Sequence, residues 1–166
     1  ALPGASFVGL DRAADGGAAV RARLDADPAH KARVEASLAV LLADGAVDSP
    51  ALITLLAVLE ADDGAIPVID MLEQGLDAAS QEAVIAHLRR RGPEARPLFF
   101  LTRSNAILDL DAVGDDEAII LCPANHSLPI CVRPIPGAVG YEAVATCLAS
   151  PEVRTRTEGM VAWLPS

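Results

Sequence analysis

Asp48-Ser49-Pro50-Ala51-Leu52-Ile53-Thr54-Leu55-Leu56-Ala57-Val58-Leu59 is the segment on which the fold turns. Asp48 or Ser49 ahead of Pro50 is a helix start: the polar side chain takes up an orphan backbone N–H, and proline at the first helical position gives up no hydrogen bond. Leu52, Ile53, Leu55, Leu56, Val58 and Leu59 then cover nearly the whole circumference of the helix. A helix that is apolar all round is buried on all sides, so this one is expected at the centre of the core.

Upstream, Asp27 before Pro28 repeats the start signal, and Val34, Leu38, Leu41 and Leu42 recur at helical spacing until Gly45. The pair Gly16-Gly17 weakens the preceding stretch, because each glycine costs about 1 kcal/mol against alanine, and a helix is expected over 18–26. Ser6-Phe7-Val8 reads as a lead-in strand. Downstream of Gly64, residues 66–71 read as a short strand in which Pro67 suits a start or an edge. A helix follows over 78–91, with Val84, Ile85 and Leu88 inward and Gly92-Pro93 as its stop.

From Pro97 the pattern changes to short apolar runs separated by turn residues: Leu98 to Leu101, Ala106 to Leu108, Ala118 to Leu121 and Ile130 to Val132. These predict consecutive strands of one sheet, followed by a short helix over 140–149 and a closing strand from Met160 to Leu164. The expected fold is α+β in a single domain over 1–166. A helical region over about 11–91 packs on a mostly antiparallel C-terminal sheet, strand-rich over about 97–166, with one late helix.

Composition narrows the class of function. The chain of 166 residues is 52% apolar and 22% charged, enough apolar surface to offset the entropy of ordering. Alanine supplies 32 of those residues and aromatics only five, so the core is expected to be aliphatic. The net charge of −10 is spread along the chain, and a nucleic-acid binder needs a basic face that displaces counterions. The triplet Arg89-Arg90-Arg91 lies where a helix ends, a position that favours cations through the helix dipole, and Arg154 with Arg156 is the other basic cluster. No nucleic-acid partner is expected. No window approaches the ~18 apolar residues of a membrane span, so no transmembrane segment is expected.

Residues 43–56, Ala-Asp-Gly-Ala-Val-Asp-Ser-Pro-Ala-Leu-Ile-Thr-Leu-Leu, run into the strand Ile66-Pro67-Val68-Ile69-Asp70, and a later helix runs into Arg96-Pro97. This order resembles extracytoplasmic domains of actinobacterial membrane-anchored proteins and lipoproteins, themselves uncharacterised. The resemblance covers about residues 29–100 and departs from that pattern in lacking a strand between Met71 and Ala78. What it implies is a location outside the cytoplasm and no known catalysis.

Cys122, His126 and Cys131 form the one concentration of ligand-type residues. A structural zinc site takes four ligands, usually with two cysteines separated by two to four residues, and here the cysteines are separated by eight residues with one histidine between; no metal and no cofactor are expected. If residues 118–133 form a hairpin, Cys122 and Cys131 come near each other and are a disulfide candidate in an oxidising compartment. As an alternative, Cys122 and His126 are candidates for a catalytic thiol and base, although no orienting third group is evident. Cys147 falls on the late helix. Asp109, Asp111, Asp115, Asp116 and Glu117 lack the ligand order of a calcium loop and read as a solvated turn. His30 and His87 have no partner at zinc-binding helical spacing, and no phosphate-loop or nucleophile-elbow motif is present. The expected function is a non-enzymatic extracytoplasmic domain that binds an unknown protein or small ligand; the alternative is an intracellular thiol-dependent enzyme or regulator using Cys122 and His126.

Overall fold

The computed structural model describes residues 4–9, 12–92, 94–123 and 128–147, and of the last two residues of this range the backbone alone. The chain groups into two compact units, residues 1–102 and 103–166.

The first unit alternates strands and helices. Strand β1 (Ala5–Val8) leads to helices α1 (Ala18–Ala26), α2 (Pro28–Ala43) and α3 (Pro50–Leu59), then β2 (Ile66–Ile69), α4 (Ala78–Arg90) and β3 (Phe99–Phe100). The three strands form one sheet in the order β1-β2-β3, and both pairings are parallel, Ala5 to Val8 against Ile66 to Ile69 and Val68-Ile69 against Phe99-Phe100. This corrects the expected architecture of helices on a mostly antiparallel C-terminal sheet. Each strand here is separated from the next by helices, and a chain that returns through a helix lays its next strand parallel. Leu98 to Leu101 belongs to this sheet and not to a later meander.

The helix starts follow the expected chemistry. Asp27 accepts from the His30 N–H, Ser49 from Leu52 and Asp77 from Ser80. Leu52, Leu55 and Leu56 of α3 are fully shielded from solvent, with Leu41 of α2 and Ile69 and Leu72 around β2. Pro67 sits in the middle strand and not at an edge. The N–H groups of Ile66 and Asp70 face β1, where they donate to Gly4 and Val8 carbonyls, so the Pro67 nitrogen faces β3 one residue before that ladder begins at Val68. No hydrogen bond is lost there.

The two faces of the sheet differ. Pro67 and Ile69 are buried, whereas Phe7, Val68 and Phe99, aligned by register on the other face, form a row in which Phe7 is 68% and Phe99 49% exposed.

In the second unit, Asn105–Leu108 is a short helix, α5, where a strand is expected. Ser104 is the reason: its hydroxyl accepts from the Ile107 N–H at 3.4 Å and caps a turn. A 3-10 turn, Leu110–Ala112, carries part of the acidic run, in which the Glu117 carboxylate accepts from the Gly114 N–H. Strands β4 (Ile119–Leu121) and β5 (Ile130–Val132) pair antiparallel, and helix α6 spans Tyr141–Cys147. Gly140, at φ +83°, opens α6; a Cβ there would stand 2.8 Å from Val132 Cγ2, so only glycine lets the chain pass so close to β5. The expected strand from Met160 to Leu164 lies outside the described residues.

Candidate functional site

Open parallel sheets commonly hold ligands beyond the carboxyl ends of their strands. Here that edge is filled from within. Arg12, following β1, donates through Nη1 to the Asp70 carbonyl and through Nη2 to those of Met71, Leu72 and Gln74, all at 2.9 to 3.0 Å. Burial draws its guanidinium below the usual arginine range, and Glu73 and Asp70 oppose that shift by their charge. The bend it secures places Met71 at φ +49°, and the Thr102 hydroxyl donates to buried Glu73 at 2.7 Å. Arg12 is therefore a tie between the exit of β1 and the loop after β2.

The open cleft lies on the helix-covered side, where β1 and β2 meet α1, α2 and the end of α3. It encloses about 340 Å³, and Ser6 and Pro67, which are register partners, belong to its wall. That volume is at the lower end of the range of small-ligand pockets. Arg23 of α1, Asp27, His30 and Arg33 of α2, Asp62 and Asp63 after α3, and Arg96 supply its polar lining, with Ala57, Val58 and Ala61 among its apolar lining.

Much of this polar lining is committed to one task. A helix end leaves four carbonyls without intrahelical donors, and at α3 three side chains, a histidine and two arginines, converge on them. His30 Nε2–H donates to Ala57 at 2.9 Å, Arg33 Nε–H to Glu60 at 3.0 Å, and Arg96 Nη2 to Val58 and Leu59 at 3.0 and 3.2 Å. Arg96 Nη1 also reaches the Ala65 carbonyl and the Asp63 carboxylate. Cations at this end also answer the negative pole of the helix. Arg23, Asp62 and Ser6 are different: their side chains have no hydrogen-bond or ion-pair partner among the described residues, and they face the same cleft.

Behind the cleft a second polar group joins α2, α3 and α4. The Ser37 hydroxyl donates to Glu60 Oε1 at 2.9 Å, and His87 Nε2 stands 3.8 Å from the same oxygen, an ion-pair separation too long for a hydrogen bond. His87, Ser37 and the charge of Arg91 hold the Glu60 carboxyl below its ordinary range, against the opposing effect of burial. The carboxylate stands between hydroxyl and imidazole. A serine nucleophile needs the imidazole in that middle position, so this order does not generate one.

The residues singled out in the sequence fall elsewhere. Cys122 and Cys131 are free thiols, both exposed, on the hairpin of the second unit. Cys131 is opposite Ile120, and Cys122 lies one step beyond the last pair, Leu121 with Ile130. His126 lies outside the described residues, as does the side chain of Cys147. Among the described residues no three His, Cys, Asp or Glu side chains are grouped as a metal site. Sequence reasoning missed Arg23, Asp62 and Arg96 because they are far apart in the chain; Arg96 before Pro97 was visible only as part of a resemblance. Compared with known proteins, the chain matches no family model, no curated protein and no solved structure.

Proposed function

We propose that this chain is a non-enzymatic ligand-binding domain, and that the cleft of its first unit takes a small zwitterionic ligand such as a free amino acid. One observation carries the reading: Arg23 and Asp62, of opposite charge, line one cleft with no partner among the described residues, while the neighbouring His30, Arg33 and Arg96 are committed to the carbonyls at the end of α3. A carboxylate suits the guanidinium of Arg23 and an ammonium the carboxylate of Asp62, with Ala57 and Val58 as apolar lining. The Ser6 hydroxyl supplies a further donor or acceptor and has no base bonded to it among the described residues.

The test is an NMR titration of the whole chain with glycine and L-alanine as zwitterions, and with acetate and methylammonium as single-charge controls. Saturable shifts at Arg23 and Asp62 are expected for the zwitterions, with Arg23→Ala and Asp62→Ala each weakening binding at least tenfold. Equal binding of acetate alone, or unchanged binding by both variants, would overturn the proposal. Action outside the cytoplasm is part of the same proposal and rests on the resemblance of residues 29–100. Fractionation of the native host tests it: recovery of the chain outside the cytoplasmic fraction supports export, and recovery within that fraction opposes it.

A further inference from the structure

The hairpin of the second unit turns two thiols to the same side. Side chains alternate along a strand, and the exposure pattern follows that alternation: Ala118, Ile120 and Cys122 on the first strand and Pro129, Cys131 and Arg133 on the second are exposed, while Val132 is buried and Ile119, Leu121 and Ile130 are partly covered. Cys131 pairs with Ile120, so Cys122, two residues further along, is its diagonal neighbour on the outward face.

That offset decides what the pair can do. A disulfide wants Cβ atoms about 3.5 to 4.5 Å apart, as directly opposed residues provide. Diagonal neighbours on an antiparallel pair are about 7 to 8 Å apart at Cα and somewhat closer at Cβ. Two sulfurs on either side of one metal ion stand about 4.6 Å apart, twice a metal–thiolate bond of about 2.3 Å. A metal ion between two side chains that reach toward each other thus suits a wider separation than a direct sulfur–sulfur bond does.

We propose that Cys122 and Cys131 together form a binding site for one soft, monovalent ion of the Cu(I) class. Thiolates select such ions, and Cu(I) is satisfied by two of them, whereas structural zinc takes four protein ligands. No third ligand-type residue is grouped with the pair among the described residues. On binding, each sulfur loses its proton and forms one bond to the ion; two protons leave, and neither sulfur nor copper changes oxidation state. The complex carries one net negative charge, and Arg133, two residues from Cys131 on the same face, offers a cation to offset it. The site differs from the four-ligand zinc centre rejected on sequence grounds, and it does not depend on the cleft of the first unit.

The experiment is an anaerobic titration of the reduced full chain against Cu(I) held by bicinchoninate, whose colour fades as the protein withdraws the ion. The wild type is expected to withdraw one Cu(I) per chain, Cys122→Ser and Cys131→Ser to compete at least a hundredfold more weakly, and Cys147→Ser to match the wild type. Wild-type affinity in either single hairpin variant, two independent ions per chain, or loss of binding in Cys147→Ser overturns the proposal. Both hairpin positions are exposed, and circular dichroism checks that the variants fold. Phenylarsine oxide provides a second reading, because it condenses with two neighbouring thiols and releases water. Peptide mapping is expected to place arsenic across Cys122 and Cys131; a bridge to Cys147 refutes the pairing.

Discussion

Arg96 shows how one side chain holds several segments at once. Its guanidinium joins the last turn of α3, the following loop at Asp63 and the start of β2 at Ala65, and its side chain is only 18% exposed. Removing it takes a donor from each of the Val58, Leu59 and Ala65 carbonyls, so Arg96→Ala is expected to destabilise the first unit by about 1.5 to 3 kcal/mol, read from the urea midpoint. Lysine cannot reproduce the planar fork and should recover only part of that loss. Glu60 contributes in a pH-dependent way. Its folded pKa is depressed below the ordinary value of 4.5, so its stabilisation is fully present above that pH and is lost as pH falls through the folded value. The gap in urea midpoint between wild type and Glu60→Gln should therefore be constant near neutrality and narrow below pH 4.5. A gap that widens on acidification contradicts this assignment. In the second unit, Gly140→Ala combines an unfavourable φ with a 2.8 Å approach to Val132, and a lower melting temperature is expected.

At the scale of elements, α3 is the helix around which the first unit is assembled. Leu56 has no exposed surface, and Leu56→Ala should cost about 2 to 5 kcal/mol by lost transfer energy and residual cavity. The sheet responds differently on its two faces. Ile69 is fully buried, whereas Phe7 on the other face is 68% exposed. Phe7→Ser should change stability by no more than about 0.5 kcal/mol, because little apolar surface is uncovered. If chemical denaturation finds Phe7→Ser as costly as Leu56→Ala, that face is covered in solution. The parallel ladder also explains why a proline is tolerated in a middle strand, since its missing donor falls where β3 has not yet begun.

For the whole molecule, the charge of −10 opposes phosphates, and among the described residues Arg12, Arg33 and Arg96 are committed to backbone carbonyls. A labelled DNA duplex is expected to show no salt-sensitive binding at physiological ionic strength; a micromolar complex that weakens steeply with salt would refute this. Among the described residues no helix is long and apolar enough to cross a membrane. Much of the local structure was legible in residue order. The caps at Asp27 and Ser49, the helix over 18–26, the all-round burial of α3 and the strands of the late hairpin follow from short-range chemistry, because a cap or a period needs only its immediate neighbours. The misreading of Ala106 to Leu108 was also local: Ser104, three residues before Ile107, carried the cap that marks a helix. Strand direction and partnership were not local. Whether Leu98 to Leu101 joins β2 or a later strand depends on which partner leaves fewer backbone groups unpaired, and an apolar run is equally suited to either. The cleft was illegible for the same reason. Arg23, Asp62 and Ser6 carry no shared motif, and the folding of α1 and the end of α3 onto β1 and β2 is what brings them to one cavity. Cys122 and Cys131 lie between these cases: sequence placed them on adjoining strands, and only the hairpin register, with Cys131 opposite Ile120, set them on a diagonal instead of face to face. Residue order thus determined the elements, through caps, periodicity and burial, while tertiary structure decided pairing and convergence, because those are settled by the competition among distant segments for the same hydrogen bonds and the same core.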